Sequence, residues 1–340
     1  MNRGAPSRER AVAIQAVRDA ARICRAVRAT FEPGLTASKK DQSPVTVADL
    51  ASQAIVSLAL ADAFPYDPIM GEEDSSILTS TPESAIASAV VDHVTTLRPE
   101  VDADRVRWAL DRCSDAGGPT GRHWVLDPVD GTLGYVRGGQ YAVALGLIQD
   151  GQVVLGVLAC PNLPVDPDDP GAGLGCVFVA ERGGGSWQVP LDDAGEPSEG
   201  GESAARPIHV HDVTDVTTAR YTESYEPAHS AQSDAAAIAG ALGITSEPLR
   251  MDSQAKYAVV ARGEAEIYLR LPRPDYVENA WDHAAGWLLL REAGGSVSDA
   301  TGAEIDFSTG RRLTRNRGIV ATASAIHARV LLAVEQVLAR

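Results

Sequence analysis

The sequence has few cysteines and no long apolar run, and each shortage argues against a class of protein. Its four cysteines, Cys24, Cys113, Cys160 and Cys176, show no CxxC spacing, so neither a zinc site nor a redox motif is indicated. We expect them to be reduced and mostly buried. No run approaches the roughly 18 to 20 apolar residues that span a bilayer, so the sequence predicts no membrane span.

Basic residues are also scarce. The 30 Lys and Arg stand against 46 Asp and Glu, which gives a formal net charge of −16 at pH 7. This charge repels nucleic-acid polymers and anionic membranes, and no Lys/Arg cluster offers a compensating track. A small anion can still bind, because bound divalent cations reverse the local field. The first ten residues are polar and lack the apolar segment of a secretory signal, so we expect a cytoplasmic protein, and a monomer.

The stretch from Trp124 to Thr132 is the most informative part of the sequence. Asp127 and Asp130 stand three residues apart where an apolar strand runs into a turn, with Pro128 restricting the backbone and Gly131 freeing it. Both carboxylates can therefore project to one side. Hard cations such as Mg²⁺ take oxygen ligands, so this pair predicts part of a metal site.

Three other acidic clusters can complete such a site. Asp49 ends an alternating apolar run, Glu72 and Glu73 follow a glycine, and Asp282 stands at the predicted start of an apolar helix, where Asp is a favoured cap. Taken singly, each is explained as a turn residue or a helix cap. Taken together, and each flanked by apolar residues, they favour convergence on one site.

Three segments carry a family resemblance. The sequence resembles the lithium-sensitive, Mg²⁺-dependent phosphatases of the inositol monophosphatase superfamily. The three signatures of that superfamily match, in order, residues 71–73, 127–132 and 281–286. The resemblance implies a layered αβαβα sandwich of the sugar-phosphatase type and hydrolysis of a phosphate monoester by direct attack of water.

Within the superfamily, further segments resemble the 3′(2′),5′-bisphosphate nucleotidases, which convert adenosine 3′,5′-bisphosphate to AMP. These segments are residues 43–49, 137–145, 229–230, 250–257 and 267–270. One position departs from the pattern, because Leu133 stands where those nucleotidases carry Lys. The loss of a cation near the phosphate site predicts weaker affinity for a doubly phosphorylated nucleotide.

The resemblance implies a role for each motif residue. Two or more Mg²⁺ ions would be held by four carboxylates and one backbone carbonyl: Glu72, Asp127, Val129, Asp130 and Asp282. Asp49 would accept a hydrogen bond from the Thr132 hydroxyl, and this pair would orient the attacking water. Glu73 would support the same hydrogen-bond network without itself binding the metal. Read alone, Thr132 is a helix cap.

Substrate contacts are implied at six positions: Gly131, Thr132, His229, Ser253, Lys256 and Arg270. The amides of Gly131 and Thr132 open a helix and can hold phosphate oxygens. Ser253 and Lys256 are three residues apart, so a helix that begins there places both on one face. Without the resemblance, His229 is a loop histidine, and Ser253, Lys256 and Arg270 are surface residues.

Length and pattern predict two subdomains of an α/β (α+β) fold. Residues 1–205 form an α+β part that carries most of the metal ligands and has a helical insert at about 75–121. Residues 206–340 form an α/β part that carries the nucleotide contacts and the last metal ligand. Helices are expected over 8–30 and from near Ala48 to Pro65, and the Gly- and Ser-rich segment 191–206 is predicted to be a mobile connection.

Two alternatives remain open. The same metals serve inositol monophosphate and inositol polyphosphate phosphatases, in which a sugar alcohol replaces the nucleoside. A protein that keeps the fold but only binds nucleotide as a regulator is the alternative of another class; the intact set of predicted metal ligands argues against it.

Overall fold

The computed structural model describes residues 7–30, 43–74, 85–191, 205–225, 232–273 and 276–339. The predicted connection at 191–206 lies almost entirely outside this part of the chain. In the described part, one helix has the length and hydropathy of a membrane span, Thr46–Ala63, and 78% of that window is buried inside the protein. Its apolar surface is therefore explained by core packing.

Helices and a seven-stranded sheet make up the first half of the chain. The helices are α1 (Arg8–Ala29), α2 (Ser43–Ala63), α3 (Ala85–Leu97), α4 (Ala103–Asp111) and α5 (Thr132–Arg137). The strands are β1 (Ile69–Gly71), β2 (Arg122–Asp130), β3 (Ala142–Gln149), β4 (Gln152–Pro164), β5 (Leu174–Glu181), β6 (Gly185–Pro190) and β7 (Arg206–Ile208). They lie side by side in chain order. Only the β1–β2 pair is parallel, as the meander of short connections from β2 onward requires.

A five-stranded sheet and four helices follow. The strands are β8 (Tyr221–Glu223), β9 (Leu249–Arg250), β10 (Ile267–Arg270), β11 (Gly295–Ser298) and β12 (Ile319–Ala323), in the order β11-β12-β10-β8-β9. The helices are α6 (Gln232–Leu242), α7 (Ala255–Ala261), α8 (Ala284–Glu292) and α9 (His327–Leu338). Strands and helices alternate here as the sequence predicted.

Three apolar cores join five layers, and the second core fills two of the four interfaces between them. The first core joins the four helices α1, α2, α3 and α4 to one face of the seven-stranded sheet. The second core joins the other face of that sheet to α7, α8 and the five-stranded sheet. The third core joins the five-stranded sheet to α6 and α9. Neighbouring strand residues therefore enter different cores: Val125 faces the second and Leu126 the first, as the period of two demands. The predicted αβαβα sandwich is confirmed.

Two predicted helix starts are wrong. Helix α2 begins at Ser43 and not near Ala48, so Asp49 lies inside a helix and does not end an extended run. Helix α8 begins at Ala284, with His283 at the cap position, so Asp282 is not its N-cap. In α2 the apolar residues surround the helix because it is packed between other helices and the sheet, and this hides the helical period.

Candidate active site

A cleft of about 420 Å³ opens where β2 and β10 end and α7 begins. Its walls include all four carboxylates that were predicted to hold metal, and most of the predicted substrate contacts. The predicted residues that line it are Glu72, Asp127, Val129, Asp130, Gly131, Thr132, Ser253, Lys256, Arg270 and Asp282. Residues from the first quarter of the chain to its last fifth thus meet in one place.

The end of β2 presents its two aspartates to the cleft. The register with β3 shifts between Asp127 and Asp130, so the backbone leaves the regular ladder there. Gly131 follows with φ +84°, and a Cβ at this position would lie 2.8 Å from the Ser253 side chain. Asp130 is fixed from the opposite wall, because its Oδ2 accepts a hydrogen bond of 2.5 Å from the Gln254 amide.

The turn with Glu72 is set beside β2 by parallel pairing. Gly71 pairs with Leu126, and the Glu72 amide donates to the Leu126 carbonyl at 3.1 Å. Sequence reasoning missed a residue that fixes this turn. The Gln53 side chain accepts from the Glu73 amide at 3.1 Å and donates to the Glu73 carbonyl at 2.9 Å. A long polar side chain between the apolar residues of α2 was the one sequence signal for it.

Asp282 is held by an arginine that was predicted to hold phosphate. Arg270 Nη2 lies 3.1 Å from Asp282 Oδ2, and Arg270 Nε lies 2.6 Å from Glu278 Oε2. His283 Nε2 contacts Glu278 at 3.1 Å. Glu278, Asp282 and His283 are close enough to share a cation, but Arg270 and His283 already satisfy Glu278. This group is therefore better described as the support of Asp282 than as a separate metal centre.

The carboxylates raise one another's pKa. Burial raises the pKa of Asp127 well above its ordinary value, and the charges of Glu72 and Asp130 raise it further. Desolvation by the cleft walls and then the charge of Asp282 raise the pKa of Glu72 to about 8, although water reaches its side chain. Burial and the charge of Glu73 raise the pKa of Asp49. Such mutual repulsion is what a bound cation relieves.

The opposite wall carries a buried cation. Lys256 is 4% exposed, and its ammonium donates to the Ser224 hydroxyl and the Met251 carbonyl, both at 3.2 Å. Burial lowers its pKa to about 8. Ser253 has φ +69° and lies before α7 and not within it, so the predicted shared helix face is wrong, although both side chains are buried in the same wall. The reading of these two as surface residues is also wrong.

The predicted contact between Thr132 and Asp49 is not formed. The Thr132 hydroxyl donates to the Val129 carbonyl at 3.3 Å, because a threonine in the first turn of a helix readily folds back on the preceding turn. Asp49 is buried near Glu73 instead. The predicted substrate residue His229 lies outside the described residues. Leu133, which stands where the nucleotidases carry Lys, lines the cleft and is 47% exposed.

The model of the inositol monophosphatase family matches residues 6–339 of this chain. A 3′(2′),5′-bisphosphate nucleotidase of Emericella nidulans is 44% identical over 328 residues, which cover 89% of this chain and 91% of that protein. A 3′(2′),5′-bisphosphate nucleotidase of Oryza sativa is 42% identical over 347 residues, which cover 96% of this chain and 93% of that protein.

Solved structures share the fold at lower identity. SuhB of Mycobacterium tuberculosis has a TM-score of 0.61 and 22% identity, with 98% of this chain and 97% of that chain covered. The inositol monophosphatase of Anabaena has a TM-score of 0.61 and 21% identity, with 96% and 95% covered. At these identities the likeness concerns the fold alone.

Proposed function

The chain belongs to the inositol monophosphatase family, and we propose that within it this protein is the phosphomonoester hydrolase that removes the 3′-phosphate of adenosine 3′,5′-bisphosphate to give AMP. The observation that carries the proposal is the identity of 42 to 44% with nucleotidases along nearly the whole chain. The cleft agrees with it, since carboxylates form one wall and a buried ammonium the other.

The donor set fits magnesium. Asp127 Oδ1 is buried and has no hydrogen-bond partner among the described residues, and the carboxylates around it are crowded enough to raise one another's pKa. Hard oxygen donors of this kind suit Mg²⁺. The ligands of two or more ions would be Glu72, Asp127, Asp130, Asp282 and the Val129 carbonyl. When bound, the ions would neutralise phosphoryl charge and lower the pKa of the attacking water.

The chain's own residues position the reactants. The Thr132 hydroxyl donates to the Val129 carbonyl in this structure, and rotation about its χ1 bond would turn it to the attacking water. The carboxylates of Asp49 and Glu73 lie close to each other and would supply negative charge near that water. The amides of Gly131 and Thr132 face the phosphate that is removed. These roles follow the family motif, and the shared cleft supports them.

The second phosphate of the nucleotide needs a cation that carboxylates do not already hold. Lys256 meets this need, because among the described residues its ammonium has only neutral hydrogen-bond partners, Ser224 and Met251. Arg270 lines the cleft but is paired with Glu278 and Asp282, so its first role is to support Asp282. Ser253 and His229 complete the proposed nucleotide side.

The same proposal includes further assignments. The chain divides into two parts, residues 1–205 and 206–340. The protein acts as a monomer in the cytoplasm, where its substrate is a small phosphorylated nucleotide. Light scattering on the purified protein measures its mass in solution, and a dimer there would contradict the monomer.

A phosphate-release panel tests the activity directly. The substrates are adenosine 3′,5′-bisphosphate, adenosine 3′-phosphate 5′-phosphosulfate, inositol 1,4-bisphosphate and inositol 1-phosphate, each with Mg²⁺. We expect kcat/KM to be highest for a nucleotide. Preference for an inositol phosphate would replace the proposed substrate, and no release from any of the four would favour a binding protein.

A further inference from the structure

Arg311 lies in the second half of the chain, and its side chain reaches the turn that carries Glu72. Its Nη2 donates to the Gly71 carbonyl at 2.7 Å, and its Nη1 donates to the Asp115 carbonyl at 3.2 Å. Gly71 directly precedes Glu72. A residue 240 positions away in sequence therefore fixes the start of the acidic turn.

The same guanidinium also contacts the segment that carries Asp282. Its Cζ lies 4.6 Å from the centroid of the Trp281 ring, at cation–π distance, and Trp281 directly precedes Asp282. The backbone takes part as well, because the Arg311 carbonyl accepts from the Ala280 amide at 2.9 Å. One residue thus contacts the immediate neighbour of two carboxylates that come from opposite halves of the chain.

Those two carboxylates repel each other, since the charge of Asp282 is one cause of the raised pKa of Glu72. Among the described residues, no carboxylate pairs with Arg311, so its donors are committed to backbone carbonyls. A planar guanidinium can donate to two carbonyls and stack on an indole at once, which a lysine ammonium cannot. The arrangement resists separation of the two turns without neutralising either acid.

We propose that Arg311 is a positioning residue that holds the Glu72 turn and the Asp282 segment at a fixed separation. The inference rests on the proposed metal site for its consequence, but the restraint itself is a property of the metal-free protein. Arg311 does not line the cleft and so has no direct contact with substrate.

Hydrogen exchange of the metal-free protein tests the restraint. In Arg311→Ala we expect the amides of residues 69–74 and 279–283 to exchange at least about tenfold faster than in the wild type, because both segments lose one anchor. Arg311→Lys should show the same change and serves if the alanine variant does not fold. The matched control is Arg315→Ala, which removes a 71% exposed arginine of the same loop that pairs with Asp306. Wild-type exchange of both segments in a folded Arg311 variant would overturn the proposal.

The magnesium dependence of phosphate release gives a second readout. Loss of a residue that orients metal ligands costs about 10- to 100-fold in metal affinity. We therefore expect the half-saturating Mg²⁺ concentration to rise by that factor in Arg311→Ala, with kcat at saturating Mg²⁺ within about threefold of the wild type. A fall in kcat with unchanged Mg²⁺ dependence would contradict a positioning role. Absence of phosphate release from the wild type would overturn the proposed function alone, because the exchange result is obtained without metal.

Discussion

Among the four carboxylates predicted to hold metal, Asp127 has the least access to water, and the other three all lie close to it. It is 2% exposed, and the charges of Glu72, Asp130 and Asp282 all raise its pKa. Without a cation, a carboxylate at this position would be protonated or would cost a large desolvation free energy, and a bound cation would stabilise its charged form. Substitution of Asp127 therefore tests the proposed metal site directly.

Asp127→Asn keeps the shape of the side chain and removes its charge. We expect kcat for phosphate release to fall by about 10³-fold or more, because charge stabilisation by the metal is lost. The control is Asp104→Asn, which alters an 86% exposed carboxylate on α4. Turnover of the Asp127 variant near that of the wild type would exclude it as a shared ligand.

Lys256 predicts a pH dependence of substrate capture. Its pKa is about 8, so the free enzyme loses this positive charge as the pH rises through that value. We expect kcat/KM for adenosine 3′,5′-bisphosphate to fall above pH 8, since kcat/KM follows the ionisation of the free enzyme.

Lys256→Met should remove that decline and lower kcat/KM at pH 7 by roughly 10- to 100-fold, the value of a hydrogen bond to a charged group. The effect should be small on adenosine 3′-monophosphate, which lacks the second phosphate. Equal losses on both nucleotides would show that Lys256 does not contact the second phosphate.

Local motifs predicted which residues meet in the cleft, but not how each one is held. Asp127 and Asp130 stand three residues apart, and their turn chemistry is readable without a structure. Gln53 and Arg311 act on backbone atoms of residues far away in the chain, so no local pattern indicates them. The predicted bond from Thr132 to Asp49 failed for a related reason, because a nearer carbonyl competes for the same hydroxyl.

At the scale of elements, periodicity identified strands and amphipathic helices and was misleading for the buried helix. Helix α1 has one polar side, and its predicted bounds of 8–30 agree with Arg8–Ala29. Helix α2 is apolar all round, so its first residues matched a strand pattern as well as a helical one. Packing on several sides removes the contrast on which the prediction depends.

Strand β1 is short, and its last residue is a glycine for a steric reason. A Cβ on Gly71 would lie 2.5 Å from Gln53 Oε1 and 2.8 Å from Cys113 Cβ. We expect Gly71→Ala to lower the free energy of unfolding by about 1–3 kcal/mol through overpacking and to displace the Glu72 turn. Urea unfolding and the half-saturating Mg²⁺ concentration measure the two effects.

The control for that variant is Gly240→Ala on α6, where a Cβ would meet nothing within 4 Å. Alanine should stabilise the helix there by about 0.5–1 kcal/mol. If Gly71→Ala proved as stable as the wild type and bound Mg²⁺ equally well, the close packing of the turn against Gln53 would not matter to the site.

For the whole molecule, the site lies where β2 and β10 end and where α7 and α8 begin, and both halves of the chain supply acids to it. The molecule as a whole is also acidic, with a formal net charge of −16. Assembly of the fold therefore concentrates negative charge in one cleft. We therefore expect a stability that depends on pH and on divalent cations.

Glu72 is one of several cleft carboxylates whose raised pKa gives that dependence its sign. Its pKa is about 8 in the folded protein against an ordinary value of 4.5, so the folded state holds more protons than the unfolded state between these values. The stabilising contribution is complete below pH 4.5 and is lost as the pH rises through 8. His123 and His327 act in the opposite direction, because burial lowers their pKa. The contribution of Glu72 is therefore the difference between the wild type and Glu72→Gln.

We expect the Tm of the metal-free wild type, relative to that of metal-free Glu72→Gln, to fall between about pH 5.5 and pH 8.5. In the proposed site Mg²⁺ would bind the ionised carboxylates, so the rise in Tm that it causes should be larger at the higher pH. Differential scanning calorimetry with a chelator and with millimolar Mg²⁺ measures both quantities. A relative Tm that stayed constant, together with a magnesium effect independent of pH, would mean that the cleft carboxylates are not coupled to one another or to the cation.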